Sequence, residues 1–389
     1  MKPVYADHAS TTRPAPEVAE AMLPWLGERF GNASSVHSRG EAARDAIEAA
    51  RLEVARLLGA QPEEVVFTAT GSESNNLALQ GALRAASSRR RIVTTAIEHA
   101  SVLATARALE AEGFGLTVVP VRANGAVDPG AVAETLGDDV ALVSVMAVNN
   151  ETGVIQPVEE IGPLARAAGA LFHVDAVQAP GRLPIAVDGW QADLVSIAGH
   201  KFHGPQGAAA LFVRRRTRLV PLVRGGHHER DRRAGTENVA AIVGLGVAAA
   251  RANAGLASGV PRRVAALGER LLARILAGVP HSVLNGDLNA RVGGTLNVRL
   301  QGVDGEAALH ELDRAGIQVS TGSACSAGQQ APSHVLLAMG LSPEDAHASV
   351  RFSLGDDNTE DEVDRIGETL PGVVERLRAL AGPGLERTA

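Results

Sequence analysis

Two polar residues that could do chemistry each stand at the end of a short apolar run. Residues 171–174 precede Asp175, and residues 194–198 lead through a Gly-His pair to Lys201. Apolar runs of this length are typical of buried parallel strands, and α/β sheets bind ligands just beyond the carboxyl ends of such strands. We therefore expect Asp175 and Lys201 to face one crevice at the same edge of a sheet.

Lysine usage singles out the same position. The chain has 37 lysines and arginines together, yet only Lys2 and Lys201 are lysine. Arginine stays protonated, whereas a buried lysine can lose its proton and act as an amine nucleophile. Lys201 is therefore either a reactive amine or a chance survivor of compositional bias in a surface loop. A lysine that forms a Schiff base, with an aspartate opposite the pyridinium nitrogen, is the pair that pyridoxal 5′-phosphate (PLP) enzymes need.

Three further strand ends carry residues with possible roles. The predicted strand 64–68 runs through a small polar turn into a helix, so Gly71 and Ser72 would lie at a helix N-terminus suited to phosphate. An ordinary capped helix has the same pattern. His99 follows the predicted strand 91–95 and Asn150 follows the predicted strand 140–148. A lone histidine there is more often structural, but several polar strand ends together favour a site.

The one cysteine, Cys325, lies in a stretch of small residues, 320–328. Because there is no second cysteine, an internal disulfide and an all-cysteine metal site are both excluded. Buried structural cysteines usually have bulky apolar neighbours, and this one does not. The sequence leaves Cys325 as either inert or a reactive thiol, and its surroundings favour the thiol.

Length and composition indicate a globular protein with two domains, or one large and one small. The chain has 389 residues, 45% hydrophobic and 21% charged, and a formal net charge of −7. This charge argues against nucleic acid or an anionic membrane as the main partner. We find no apolar run near the ~20 residues that a membrane span requires. The first residues lack a signal-peptide pattern, which predicts a cytoplasmic location.

Alternating strand and helix patterns up to Lys201 predict an α/β fold with a doubly wound, mostly parallel sheet. We expect helices over 14–26, 41–58 and 239–253, and a break in the helical pattern at 255–261. The predicted organisation is an N-terminal segment 1–13 packing with a small domain, a large domain 14–255, and a smaller α/β domain 256–389 with strands near 296–298 and 350–352.

Ten short motifs, in order along essentially the whole chain, resemble those of the cysteine desulfurases of the NifS and IscS kind. These are class V members of the fold-type-I PLP enzymes. The motifs are Asp7-His8-Ala9-Ser10-Thr11-Thr12, Gly31-Asn32-Ala33-Ser34-Ser35, Glu73-Ser74-Asn75-Asn76, Glu98-His99, Asn149-Asn150-Glu151, Asp175-Ala176-Val177-Gln178, Gly199-His200-Lys201, Arg233-Ala234-Gly235-Thr236-Glu237-Asn238, Gly322-Ser323-Ala324-Cys325 and Arg351-Phe352-Ser353. Each is weak alone, and all of them in order are highly specific.

The resemblance implies a role for each matched residue. The catalytic residues would be Cys325, Lys201 and His99. The cofactor-binding residues would be Gly71, Ser72, His99, Asn150, Asp175, Gln178, His200, Lys201 and Thr236. Among these, Thr236 would reach the phosphate from the other subunit of a homodimer. Asn150 and Arg351 would bind the substrate carboxylate, the arginine in bidentate fashion. No metal site is expected.

The implied reaction converts L-cysteine to L-alanine and leaves the sulfur as a persulfide on Cys325. A sulfur-acceptor protein would then take it for iron–sulfur cluster assembly or for thio-modification of tRNA or another molecule. Ala198 replaces a serine that often contacts the phosphate in this family, which removes one expected contact. The alternatives are a related PLP lyase, such as a selenocysteine lyase, an aminotransferase, or a catalytically idle subunit of a sulfur-transfer complex.

Overall fold

The computed structural model describes residues 2–86, 88–322 and 331–381, so Cys325 and the rest of 323–330 lie outside the described residues. The strands are β1 (Val4–Tyr5), β2 (Val65–Thr68), β3 (Arg91–Thr95), β4 (Gly115–Val119), β5 (Val140–Met146), β6 (Leu171–Asp175), β7 (Leu194–Ala198), β8 (Ala209–Val213), β9 (Ser282–Asn285), β10 (Thr295–Leu300), β11 (Ile317–Gln318) and β12 (Ser349–Ser353). The helices are α1 (Pro16–Met22), α2 (Ser38–Leu58), α3 (Gly71–Ala85), α4 (Ala100–Ala111), α5 (Pro129–Glu134), α6 (Val158–Ala167), α7 (Val239–Ser258), α8 (Val260–Gly278), α9 (Gly305–Arg314), α10 (His334–Ala338), α11 (Pro343–His347) and α12 (Glu360–Ala381).

A seven-stranded sheet in the order β2-β8-β7-β6-β5-β3-β4 forms the centre of the larger part of the chain. The strands β4, β3, β5, β6 and β7 run parallel, and β8 pairs antiparallel with both β7 and β2. The predicted α/β class and mostly parallel sheet are confirmed. Because β5, β6 and β7 are parallel neighbours, their carboxyl ends meet at one edge.

Capping explains where the helices beside the site begin. The Thr70 hydroxyl accepts from the Glu73 backbone N–H at 3.0 Å and starts α3 directly after β2. His37 Nδ1 accepts from the Gly40 N–H at 3.3 Å, so α2 begins at Ser38. The prediction that this helix starts at residue 41 was three residues late. The predicted helix 14–26 is a shorter α1 followed by a 3₁₀ turn over Leu23–Leu26.

Helix α7 is longer than predicted. It continues through Gly255 to Ser258 and ends at Gly259, whose φ of 83° is left-handed, and α8 begins at once with Val260. The predicted end at residue 253 was wrong, because a glycine inside an alanine-rich helix costs only about 1 kcal/mol. The division of the chain after residue 255 stays a prediction.

By length and composition, α7 is also long and apolar enough to cross a membrane, which corrects the expectation that no such stretch exists. Half of its most apolar window is buried within the protein, and the helix packs against α1 and α2. Arg251 on α7 pairs with Glu17 and Asp356. These features are typical of a core helix.

A smaller sheet in the order β12-β10-β9 lies in the C-terminal part of the chain and is antiparallel. Helices α8, α9 and α12 cover it and enclose a second hydrophobic core. Strand β1 pairs in parallel with β11, so the N-terminal segment joins this part of the chain. The segment continues along β12, where the His8 N–H donates to the Ser353 carbonyl at 3.0 Å, and then reaches the large sheet, where the Thr12 N–H donates to the His200 carbonyl at 2.7 Å.

Candidate active site

Asp175 and Lys201 leave the large sheet from neighbouring strands. Asp175 ends β6 opposite Ser196 of β7, and Lys201 is the last residue of the 3₁₀ turn Gly199–Lys201 that follows β7. The Asp175 carboxylate is buried and accepts from Asn75 Nδ2 at 2.7 Å and from the Val177 N–H at 3.0 Å. These two donors fix the carboxylate at the strand end. The sequence-based expectation that both residues come from one edge of the sheet agrees with this register.

The amine of Lys201 is held by backbone carbonyls from the opposite end of the chain. Its Nζ donates to the carbonyl oxygens of Ala9 and Ser10 at 2.8 and 2.7 Å. Thr12 continues this connection, since its hydroxyl donates to the His200 carbonyl at 3.0 Å. The N-terminal segment therefore orients the lysine. Sequence reasoning missed this function, because a backbone carbonyl leaves no mark on the sequence.

The N-terminus of α3 forms a narrow cradle beside the ends of β6 and β7. A Cβ atom at Gly71 would lie 2.9 Å from Val177 Cγ2 and 3.4 Å from the Ala198 methyl group. The first N–H groups of an α-helix have no acceptor within the helix, so Gly71 and Ser72 present donors to this cradle. Ser72 is exposed. The arrangement suits a phosphate group.

His200 sits next to the lysine and is uncharged at neutral pH. Burial, together with the positive charge of Lys201, lowers its pKa to about 4. Its Nδ1 lies 3.2 Å from the Thr11 hydroxyl. A neutral imidazole can donate one hydrogen bond to an anion but brings no charge to it.

His99 caps α4, and the cap fixes its tautomer. The Ser101 backbone N–H donates to His99 Nδ1 at 3.1 Å, and the Ser101 hydroxyl lies 2.8 Å from the same atom. Since Nδ1 accepts, the proton of the neutral ring is assigned to Nε2. The half-buried ring therefore has a defined orientation at the end of β3.

Glu98 precedes His99 and is fully buried. Burial raises its pKa to about 8, so the carboxyl is mostly protonated at neutral pH. Its Oε1 accepts from the Thr95 hydroxyl at 2.7 Å and from the Met146 N–H at 3.0 Å. Glu98 thus ties the ends of β3 and β5 together without placing a second full charge near Asp175. The motif reading did not give this residue a role.

The Gln178 amide is oriented by a half-buried arginine, Arg182, that sequence reasoning also missed. Arg182 Nη1 donates to Gln178 Oε1, and Arg182 Nη2 donates to the His8 carbonyl at 3.1 Å. Gln178 Nε2 donates to the Ala9 carbonyl at 2.8 Å. Burial, with the charge of Arg351 nearby, lowers the Arg182 pKa to about 10. Because Oε1 is taken by Arg182, the amide N–H groups of Gln178 face the lysine side.

Arg351 lies on β12 and is 2% exposed. Its Nη1 donates to the backbone carbonyl of Asn150 at 2.8 Å, so the two predicted carboxylate-binding residues are adjacent. Its Nη2 donates to Asp7 Oδ1 and to the Ser10 hydroxyl, both at 2.7 Å. The turn that carries Asn150 is shaped by Asn149, whose side-chain oxygen accepts from the Glu151 N–H at 2.9 Å.

Thr236 lies exposed in the loop 232–238. The loop contacts the start of α3, where Arg233 Nε lies 2.9 Å from Glu73 Oε1. The same loop region is anchored further back by a buried ion pair between Arg51 and Glu229. The predicted contact of Thr236 with a phosphate in a partner subunit stays a prediction.

The donor set fits PLP. A lysine amine, a buried carboxylate, an oriented imidazole and a glycine-lined helix N-terminus surround one edge of the sheet, as described above. Within the ranges 2–86, 88–322 and 331–381, no group of three or more His, Cys, Asp or Glu side chains is placed to hold a metal ion. The lysine amine, the carboxylate and the helix N-terminus are the groups that an organic phosphate cofactor needs.

Comparison with known proteins gives the family. The profile of the family described as Aminotransferase class-V matches residues 4–366. The chain is 47% identical over 388 residues to a cysteine desulfurase of Cereibacter sphaeroides, covering 99% of each chain. It is 46% identical over 379 residues to the cysteine desulfurase NifS of Azotobacter vinelandii, covering 97% of this chain and 94% of the relative.

Solved structures agree. A structure titled NifS-like protein superposes with a TM-score of 0.91 at 34% identity, covering 96% of this chain and all of the other. The chain belongs to the aminotransferase class-V family, in the branch of the NifS-like cysteine desulfurases.

Proposed function

We propose that this chain, a PLP-dependent cysteine desulfurase, converts L-cysteine to L-alanine and holds the released sulfur as a persulfide on Cys325. The observation that carries the proposal is the placement of Lys201 and Asp175 at the ends of neighbouring parallel strands, beside the N-terminus of α3. The names of relatives that match over nearly the whole chain support the same substrate.

The residues described above divide the binding of PLP between them. Lys201 would hold the cofactor covalently, Asp175 would face its ring nitrogen, and Gly71 would let the α3 N-terminus approach its phosphate. Ser72, His200 and Thr236 would add phosphate donors, and Gln178 would donate to the ring hydroxyl. When bound, PLP supplies an electron sink for bonds to the substrate Cα.

Proton movement falls to two groups with defined surroundings. The Lys201 amine would be the base for the substrate Cα proton, and the carbonyls of Ala9 and Ser10 orient its Nζ. His99 would stack on the ring and carry a proton on Nε2, since its Nδ1 accepts from Ser101. Asn150 and Arg351 would hold the substrate carboxylate.

The sulfur-transfer step is proposed from the sequence, because Cys325 lies outside the described residues. The Cys325 thiolate attacks the substrate sulfur, a new S–S bond forms, and the Cβ–S bond breaks. The electron pair of the broken bond goes to the carbon skeleton, which becomes alanine after protonation. The enzyme keeps the sulfur as a persulfide.

We further propose a homodimer in the cytoplasm that passes sulfur to an acceptor protein for iron–sulfur cluster assembly or thio-modification. Exposed apolar side chains at Leu23, Leu26, Phe30 and Val36 support an interface in this region. Thr236 would complete the phosphate site of the partner. The division into segment 1–13, domain 14–255 and domain 256–389 is proposed with it, the last carrying the cysteine.

The lysine content allows a direct test of the cofactor site. Borohydride reduction of the loaded enzyme should fix the cofactor on one of two lysines, and peptide mapping should find it on Lys201. The variant Lys201→Ala should give no labelled peptide, whereas the matched control Lys2→Ala should label as the parent does. Label on Lys2, or none at all with yellow cofactor bound, would contradict the assignment. A labelled enzyme that acts on selenocysteine alone, or that transaminates, would favour the alternative functions.

A further inference from the structure

Arg351, the proposed partner of the substrate carboxylate, already holds a carboxylate of this chain. Asp7 Oδ1 accepts from Arg351 Nη2 at 2.7 Å, and the Asp7 side chain is 19% exposed. The Ser10 hydroxyl accepts from the same Nη2 at 2.7 Å and donates to Asp7 Oδ1 at 2.9 Å. The charge of a nearly inaccessible guanidinium is thus compensated by a residue of the N-terminal segment.

The hydrogen bonds to Asp7 and Ser10 engage the atom of Arg351 that a second carboxylate would need. A guanidinium offers two parallel forks, one from Nη1 and Nη2 and the other from Nε and Nη2. Both need Nη2, and Nη2 already donates to Asp7 Oδ1 and to the Ser10 hydroxyl, two oxygens that lie 2.9 Å apart. A carboxylate that binds Arg351 bidentately therefore competes with Asp7 for Nη2.

Arg351 keeps donors for such an exchange, and Nε is one of them. Within the described part of the chain, the buried Nε has no hydrogen-bond partner. An unpaired buried N–H is costly, so an incoming carboxylate oxygen gains by reaching it. Two carboxylates on one guanidinium repel each other, which favours displacement over sharing.

We propose that Asp7 is an internal counter-ion that the substrate carboxylate displaces from Arg351. Asp7 is then a specificity-determining residue. When Asp7 leaves Arg351, only a ligand with its own carboxylate can replace the negative charge beside the guanidinium. The inference rests on the proposed function of Arg351 as the carboxylate-binding residue. The displaced Asp7 belongs to the segment whose Ala9 and Ser10 carbonyls hold Lys201, so the exchange occurs next to the reactive amine.

The test compares two amines that differ only in the carboxylate. L-Alanine and ethylamine lack a thiol, so the absorbance of the cofactor in the loaded enzyme reports their binding without sulfur transfer. In Asp7→Asn, the dissociation constant for L-alanine should fall by about five-fold or more, a typical size for coupling between two sites. That for ethylamine should change less than two-fold. Ser10→Ala removes a neutral acceptor from the same Nη2. It should change the dissociation constant for L-alanine less than Asp7→Asn does.

The results separate displacement of Asp7 from a structural role of Asp7 and from a wrong assignment of Arg351. Weaker or unchanged binding of L-alanine in Asp7→Asn would overturn the displacement and make Asp7 a positioning or structural residue. Asp7→Ser repeats the test if the first variant does not fold, and melting temperatures are recorded for both. Arg351→Gln should weaken the binding of L-alanine but not the binding of ethylamine. If Arg351→Gln binds L-alanine as well as the parent does, the proposed function of Arg351 is wrong. If Arg351→Gln binds L-alanine more weakly but Asp7→Asn has no effect, only the displacement is wrong.

Discussion

Replacing Glu229 with glutamine should destabilise the protein strongly, because the buried Arg51 then keeps only the half-exposed Glu48, at 3.0 Å, as a counter-ion. Arg51 on α2 is bound through two hydrogen bonds of 2.7 and 2.9 Å to Glu229, and both side chains are less than 5% exposed. The Phe67 N–H on β2 donates to the same carboxylate at 2.8 Å. The ion pair therefore joins α2, β2 and the loop region that leads to Thr236.

The size of the effect follows from burial. Removing one partner of a buried ion pair costs about 3–5 kcal/mol, since the other charge stays desolvated. An unfolding entropy of about 2.1 cal/mol/K per residue gives roughly 0.8 kcal/mol/K for this chain. We therefore expect Glu229→Gln to lower the melting temperature by about 4–6 °C.

A matched exposed pair serves as the control. Asp139 binds Arg91 through two hydrogen bonds of 2.7 and 2.8 Å, but its side chain is 61% exposed. Exposed pairs contribute about 0.2–1 kcal/mol, so Asp139→Asn should shift the melting temperature by about 1 °C or less. Calorimetry on both variants measures the difference. Equal shifts in melting temperature would refute the reasoning from burial. The reasoning would also be refuted if adding Arg51→Met to Glu229→Gln did not raise the melting temperature of the single variant.

Three further changes test the surroundings of the site. Between pH 4.5 and about 8 the folded protein binds a proton at Glu98 that the unfolded chain has lost, so this residue makes stability fall as pH rises. Glu98→Gln removes this contribution to the pH dependence of stability. The free energy of unfolding of the variant, relative to that of the parent, should therefore rise from pH 5 to pH 8. Gly71→Ala should weaken cofactor binding, measured by absorbance titration, because the new methyl group fills the cradle. Ser333→Ala should lower the free energy of unfolding by about 1 kcal/mol for the lost cap and by about 1–3 kcal/mol more for the buried carboxyl of Glu151 that loses its donor. Ser342→Ala should lose only the cap, about 1 kcal/mol.

Each of these has an internal comparison. A Cβ at Gly27 would meet no atom within 4 Å, so Gly27→Ala should leave cofactor affinity as it is. If it weakens affinity as much as Gly71→Ala does, the cradle is not the cause. An unchanged pH slope in Glu98→Gln would mean that Glu98 ionises normally. Equal melting temperatures for Ser333→Ala and Ser342→Ala would show that Ser333 contributes only a cap.

The strand ends of the site were predictable from the sequence because their signals are local. An apolar run followed by Asp175 or Lys201 reports both the buried strand and the polar edge within a few residues. The antiparallel β8 and the long α7 were less visible. Strand direction depends on partners far along the chain, and Gly255 has the same appearance inside a helix as at its end.

The contacts that orient the site could not be predicted in the same way. Arg351 and Asp7 are 344 positions apart, and Lys201 meets the Ala9 carbonyl across 192 positions. Such pairs arise only when the N-terminal segment crosses between the two sheets. A backbone carbonyl, moreover, is the same in every residue type. The start of α2 was placed three residues late for a simpler reason, since histidine is not among the residues that usually cap helices.

The central claim is that Lys201 and Cys325 divide the reaction, the first acting through the cofactor and the second accepting sulfur. The most direct measurement is the alanine released from L-cysteine by the loaded enzyme and by Cys325→Ala, with a reductant present. We expect alanine from the parent enzyme and little from the variant, although both bind the cofactor. Comparable alanine from both proteins would contradict the claim and assign the sulfur chemistry to another group.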